Sequence, residues 1–169
     1  EFRRVLFRSI DANKKLDEIT KSLNDYLETK RLYFPRFFFL SNDNLLEILS
    51  ETKDPQRVQP HLKKAFEGMN SADFSADGKI THINSPEGEK VPLDKSIDPA
   101  RARGNVEVWL VELEAMMVAS IRTQCLSCCE DYTVKPFLEW LQHWPGQSVI
   151  AGMNYHWTKE VEATFDELG

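Results

Sequence analysis

The stretch Tyr33-Phe34-Pro35-Arg36-Phe37-Phe38-Phe39-Leu40 constrains the fold more than any other part of the chain. Its proline bars a helix interior, because the ring removes a backbone N–H and clashes with the preceding turn. Five aromatic side chains in seven positions demand burial on more than one side. The segment is therefore predicted to be extended backbone threaded through a core.

Helical periodicity surrounds it. Leu16, Ile19, Leu23 and Tyr26/Leu27 recur at steps of three and four, which predicts one buried stripe on a helix from Asp11 to Lys30. Ser41 offers an N-cap hydroxyl to a short helix carrying Leu45, Leu46, Ile48 and Leu49. Asp54-Pro55 and Gln59-Pro60 place proline where a first turn tolerates it, so two short helical pieces follow, ending near Gly68. Residues 69–78 carry Asn, Ser, Asp and Gly and read as a loop, after which Lys79–Asn84 and Glu89–Leu93 flank Ser85-Pro86-Glu87-Gly88 as one β-hairpin. From Gly104 a helix of about 25 residues, roughly 37 Å long, carries Val106, Trp109, Leu113, Met116/Met117, Ile121 and Cys128 on one arc. Phe137, Trp140, Leu141 and Trp144 mark a short helix stopped by Pro145-Gly146. Val149, Ile150, Met153, Trp157, Val161, Phe165 and Leu168 mark a last one at near-heptad spacing. The class is mainly α with one β-hairpin, and Phe34, Pro35, Phe37, Phe39, Trp109, Trp140 and Trp157 are assigned to its structural core.

Charge and composition remove several functions. A net charge of −6 repels phosphate backbones, which excludes nucleic acid as a partner. No apolar run approaches the roughly 20 residues that cross a bilayer, so no membrane contact is expected. Gly78-Lys79 lacks both the preceding glycine and the following hydroxyl residue of a phosphate loop. Asp73, Ser75, Asp77 and Gly78 follow the first half of a calcium loop, but position twelve is Asn84, and an Asp-Gly turn explains the same residues. Cys125, Cys128 and Cys129 lack a second ligand pair for zinc and read as thiols on a partly buried helix. His61, His82, His143 and His156 have no motif that poses a nucleophile. Glu107, Glu112, Glu114, Glu160, Glu162, Asp166 and Glu167 fall mainly off the apolar arcs and read as a solvated face. No catalytic, cofactor or metal residue is assigned. Leu6-Phe7-Arg8-Ser9 resembles the translation of a sequencing-adapter end, and residues 1–9 are read as a non-native leader.

Tyr26-Leu27-Glu28-Thr29-Lys30-Arg31, Phe34-Pro35-Arg36-Phe37-Phe38-Phe39-Leu40-Ser41 and Leu45-Leu46-Glu47-Ile48-Leu49 together resemble the linker region of dynein heavy chains. Asp54-Pro55, Val58-Gln59-Pro60-His61-Leu62, Glu87-Gly88-Glu89-Lys90-Val91, Val106-Glu107-Val108-Trp109-Leu110 and Trp157-Thr158-Lys159-Glu160-Val161-Glu162 follow in the family's order, so the likeness covers residues 10–169. Phe37-Phe38-Phe39-Leu40-Ser41-Asn42-Asp43 is similar to the axonemal branch. The resemblance implies an elongated stack of helical bundles with one β-hairpin, preceding the first AAA module of a minus-end-directed microtubule motor. It implies a lever that contacts the AAA ring of its own heavy chain, with Ser85, Pro86, Glu87 and Gly88 as a ring-contact turn. ATP and magnesium would bind in the parent ring and not in this fragment, which is read as non-enzymatic. Intermediate chains, light chains and microtubules would be engaged by other regions, in the cytoplasm and cytoskeleton of a cilium or flagellum. The rival reading is an α-helical solenoid scaffold that binds a partner and moves nothing.

Overall fold

The computed structural model describes residues 2–51 and 54–168, with side chains placed from residue 9 to 167 within those ranges; Glu1 of the expected leader lies outside them, as does Gly169. Among the described residues six α-helices follow in chain order: α1 (Phe2–Tyr33), α2 (Asn42–Ser50), α3 (Gln59–Ala65), α4 (Val106–Asp131), α5 (Phe137–His143) and α6 (Gly146–Leu168). Between α3 and α4 lie strands β1 (Ser71–Phe74), β2 (Ile80–Asn84) and β3 (Lys90–Ile97). The fold is mainly α, and its single expected hairpin is corrected to an antiparallel three-stranded sheet in the order β1-β2-β3. β1 escaped the sequence reading because it is only four residues long, with polar Ser71 and Asp73 alternating with Ala72 and Phe74 and only Ala72 buried. The turn between β1 and β2 uses Gly78 at φ +76°, and the turn between β2 and β3 uses Gly88 at φ +89°, a region other residues seldom adopt. Pro92 sits in β3, an edge strand, where its missing N–H costs no ladder bond.

The expectation for residues 33–40 is corrected. Pro35–Phe39 forms a 3-10 helix with proline in its first turn, not extended backbone. Three residues per turn put Phe34 and Phe37 on one face, and these two rings meet edge-on at 4.9 Å inside the core. Phe38 and Phe39 fall on the other face and are exposed, as is Pro35. The helix predicted from Asp11 to Lys30 extends over Phe2–Tyr33, and its stripe is covered only at Leu27. Leu16, Ile19, Leu23 and Tyr26 are exposed. Ser41 caps α2 as its sequence predicts, its hydroxyl accepting from the Asn44 N–H at 3.3 Å.

The described residues form two hydrophobic cores. The larger joins Leu27, the Phe34/Phe37 pair, α2, α3, the sheet and the first two turns of α4 through Trp109 and Leu113. The smaller consists of Cys128, Trp140 and Val149 with Tyr132 and Trp144 packed against them. α4 enters both.

Candidate mechanical interface

α4 is tied to its surroundings by polar contacts as well as by its apolar arc. Near its start, the Lys30 ammonium of α1 donates to Glu107 Oε1 at 2.5 Å, with side chains 16% and 7% exposed. One turn pair further, Arg36 Nε donates to Glu114 Oε1 at 2.6 Å and the guanidinium lies 5.0 Å over the Phe66 ring. Glu107 and Glu114 thereby leave the solvated face assigned to them, and Glu107 is buried. In mid-helix, Ser120 replaces Ile121 on the buried arc, and its hydroxyl accepts from the Asp94 N–H of β3 at 2.9 Å. Thr123 adds a hydroxyl bond to Asp94 Oδ2 at 2.7 Å. At the far end, Trp140 Nε1 donates to the Cys128 carbonyl at 2.8 Å and Trp144 Nε1 to Asp131 Oδ2 at 3.1 Å. Sequence reasoning missed the Lys30–Glu107 pair because its members stand 77 positions apart.

Of the residues assigned to the core, Phe34, Phe37, Trp109 and Trp140 are buried, whereas Pro35, Phe39 and Trp157 are exposed. Trp157 shares an uncovered face of α6 with Phe165. The hairpin residues form a closed turn: Gly88 N–H donates to the Ser85 carbonyl at 3.2 Å, and Ser85 Oγ accepts from the N–H groups of Glu87 and Glu89. Glu87 and Gly88 face solvent.

The chemical candidates are dispersed. Asp73 takes Lys90 and Asn84, and Asp77 takes Lys79 and Ser75, so these carboxylates are committed to protein donors. Hydrogen bonding from Lys79, then from Ser75, holds the Asp77 carboxyl down at about 2. Burial, then the neighbouring Cys129 and Cys125 sulfurs, push the Cys128 thiol up to about 11, which disfavours the nucleophilic thiolate. His156 stacks on Tyr132 at 4.2 Å, His82 meets Thr81, and His61 is buried with Nδ1 unpartnered. Among the described residues, no group of three or more His, Cys, Asp or Glu side chains is placed to hold a metal. No helix among them is long and apolar enough to cross a membrane.

A carboxyl depressed in the fold contributes stability above its unfolded value and loses it as pH falls through the folded value. The β1–β2 turn is therefore expected to loosen between the ordinary 3.8 of an aspartate and about 2 for Asp77. Amide shifts of Gly78 and Lys79 followed by NMR should move over that window, and Asp77→Asn should flatten them.

The dynein heavy chain, N-terminal region 2, family matches residues 3–128, beginning inside the segment read as a leader. The chain is 53% identical over 157 residues to dynein axonemal heavy chain 3 of Homo sapiens, covering 93% of this chain and 4% of that protein. It is 50% identical over 159 residues to dynein axonemal heavy chain 1 of Mus musculus, and 49% identical over 152 residues to dynein axonemal heavy chain 12 of the same species. Coverage there is 94% and 90% of this chain, so the chain spans only 4–5% of the length of these relatives.

Proposed function

We propose, from the premise that the chain belongs to the dynein heavy chain family, that residues 10–169 are part of a mechanical linker and that α4 is its lever. The observation that carries this reading is one helix serving two cores. α4 enters the larger core at Val106 and the smaller at Cys128. Its 26 residues make a rod of about 39 Å, so a displacement of one bundle is delivered to the other. Polar ties at Glu107, Glu114 and Ser120 resist sliding, while the packed indoles of Trp109 and Trp140 resist bending. In this reading the turn Ser85–Gly88 touches the AAA ring of the same heavy chain, where ATP and magnesium bind. The fragment hydrolyses nothing. Its output is minus-end-directed movement on axonemal microtubules in a cilium or flagellum, with intermediate and light chains held by other regions.

Arg122 lies on the exposed side of α4 between the two cores. Arg122→Pro in a heavy chain carrying this segment removes one backbone bond and kinks the rod, at about 3 kcal/mol, without touching a core side chain. ATP turnover is expected to persist while microtubule gliding velocity falls steeply, with Arg122→Ala near the parent in both. Undiminished gliding with proline in place would refute the lever, and equal loss in both variants would assign the effect to the charge.

A further inference from the structure

Helix α6 begins without a cap of its own. Trp144-Pro145-Gly146-Gln147 supplies no Ser, Thr, Asp or Asn ahead of the first turn, and that turn holds no acidic residue. A helix start leaves N–H groups without intrahelical partners and favours negative charge. Here the carboxylate comes from the hairpin, 57 positions away: the Gly146 N–H donates to Glu89 Oε1 at 2.7 Å. Glu89 is also the residue that closes the β2–β3 turn. Its carbonyl accepts from the Ser85 N–H at 2.9 Å, and its own N–H donates to Ser85 Oγ at 3.1 Å. One residue is thus held by its backbone in the turn and by its side chain at the start of α6.

Among the described residues no other hydrogen bond or ion pair joins the β2–β3 turn to the start of α6. A cavity of about 170 Å³ lies between them, bounded by Ile83 and Val91 of the sheet, Ile121 of α4, and Pro145, with Glu89 on its wall. A close-packed contact would move as a block, whereas a charge-assisted bond beside a void can open and close as a unit. The absence of a side chain at Gly146 fits this contact, because a Cβ there would stand 3.1 Å from Glu89 Oε1.

We propose that Glu89 is a latch that makes the β2–β3 turn the N-cap of α6, so that a load on Ser85–Gly88 is felt in the first turn of that helix. The proposal rests on the ring-contact reading only for the origin of the load; the latch itself is a property of this chain and is tested in it alone. Linkage requires the coupling to run both ways. Hydrogen exchange on the 169-residue chain reads both directions. Glu89→Ala should speed exchange of the first hydrogen-bonded amides of α6, Val149 to Gly152, roughly fivefold, the size of a lost cap. Gly146→Pro removes the donor at a position where a helix accepts proline, and should speed exchange of Ser85 and Gly88 in the turn. In the Gly146→Pro background, Glu89→Ala should add nothing at Val149, with circular dichroism confirming that each variant keeps its helix content. Equal acceleration by Glu89→Ala in both backgrounds, or none in either, would overturn the latch, and neither result bears on the Arg122 gliding test.

Discussion

Trp140→Ala is expected to unfold the smaller core while leaving the larger one standing. Trp140 is fully buried and is the buried residue of α5, so α5 is held chiefly by this one ring. The indole meets Tyr132 edge-on at 5.1 Å, and the backbone of Gly152 approaches it so closely that a Cβ there would lie 3.1 Å from Cζ2. Emptying a site of this size costs about 3–5 kcal/mol. Three residues make up the buried part of this core, so few neighbours can move in to fill the space. Exchange should collapse toward the unfolded rate from Val134 to Val149 and hold from Leu27 to Leu113. Trp140→Phe keeps most of the apolar volume and loses the bond to the Cys128 carbonyl, for about 1–2 kcal/mol. Uniform loss of protection over both cores would mean that α4 does not join two separable bundles.

The periodicity of α4, α5 and α6 was legible because spacing alone tells which face turns inward. It does not tell what covers that face. Leu16, Ile19 and Leu23 carry the same pattern as Leu27, yet only Leu27 meets the core, and Trp157 and Phe165 stand uncovered on α6 for the same reason. Pro35 correctly excluded an α-helix interior, but composition could not choose between extended backbone and a 3-10 turn; that choice decides whether two aromatics or five go inside. β1 was hidden because Ser71-Ala72-Asp73-Phe74 is four residues long with Ser and Asp in alternate positions and a polar run after it, and its pairing with β2 comes from the Asp77-Gly78 turn that follows it. The polar ties were the least visible. Glu107 looks like any carboxylate off an apolar arc until Lys30 is brought to it, and Glu89 looks like a hairpin residue until α6 starts beside it.

Lys30→Ala should be the most damaging single substitution on the polar side of the molecule. Glu107 would be left with neither oxygen partnered, since Oε2 already lacks a bond and the side chain is 7% exposed. Removing one member of a buried pair costs about 3–5 kcal/mol, because the remaining charge stays out of water. For a chain of this size that corresponds to a melting temperature lower by about 10 °C. The same reasoning gives the opposite sign for the pair: Lys30→Met with Glu107→Leu removes both charges and their desolvation, and should recover most of the loss. Calorimetric melting of the two singles and the double distinguishes the cases. If the double melted as low as Lys30→Ala, the pair would be contributing attraction beyond its desolvation cost. The described side chains of α1 before Leu27 are all exposed, so Leu27, Lys30 and Arg31, with Phe34 just past the helix end, are the points at which α1 grips the body that contains the start of α4. Lys30→Ala should therefore raise exchange in the last turns of α1 before any part of α4 opens, and the double substitution should restore protection there. The double substitution would leave α1 joined to α4 by packing alone.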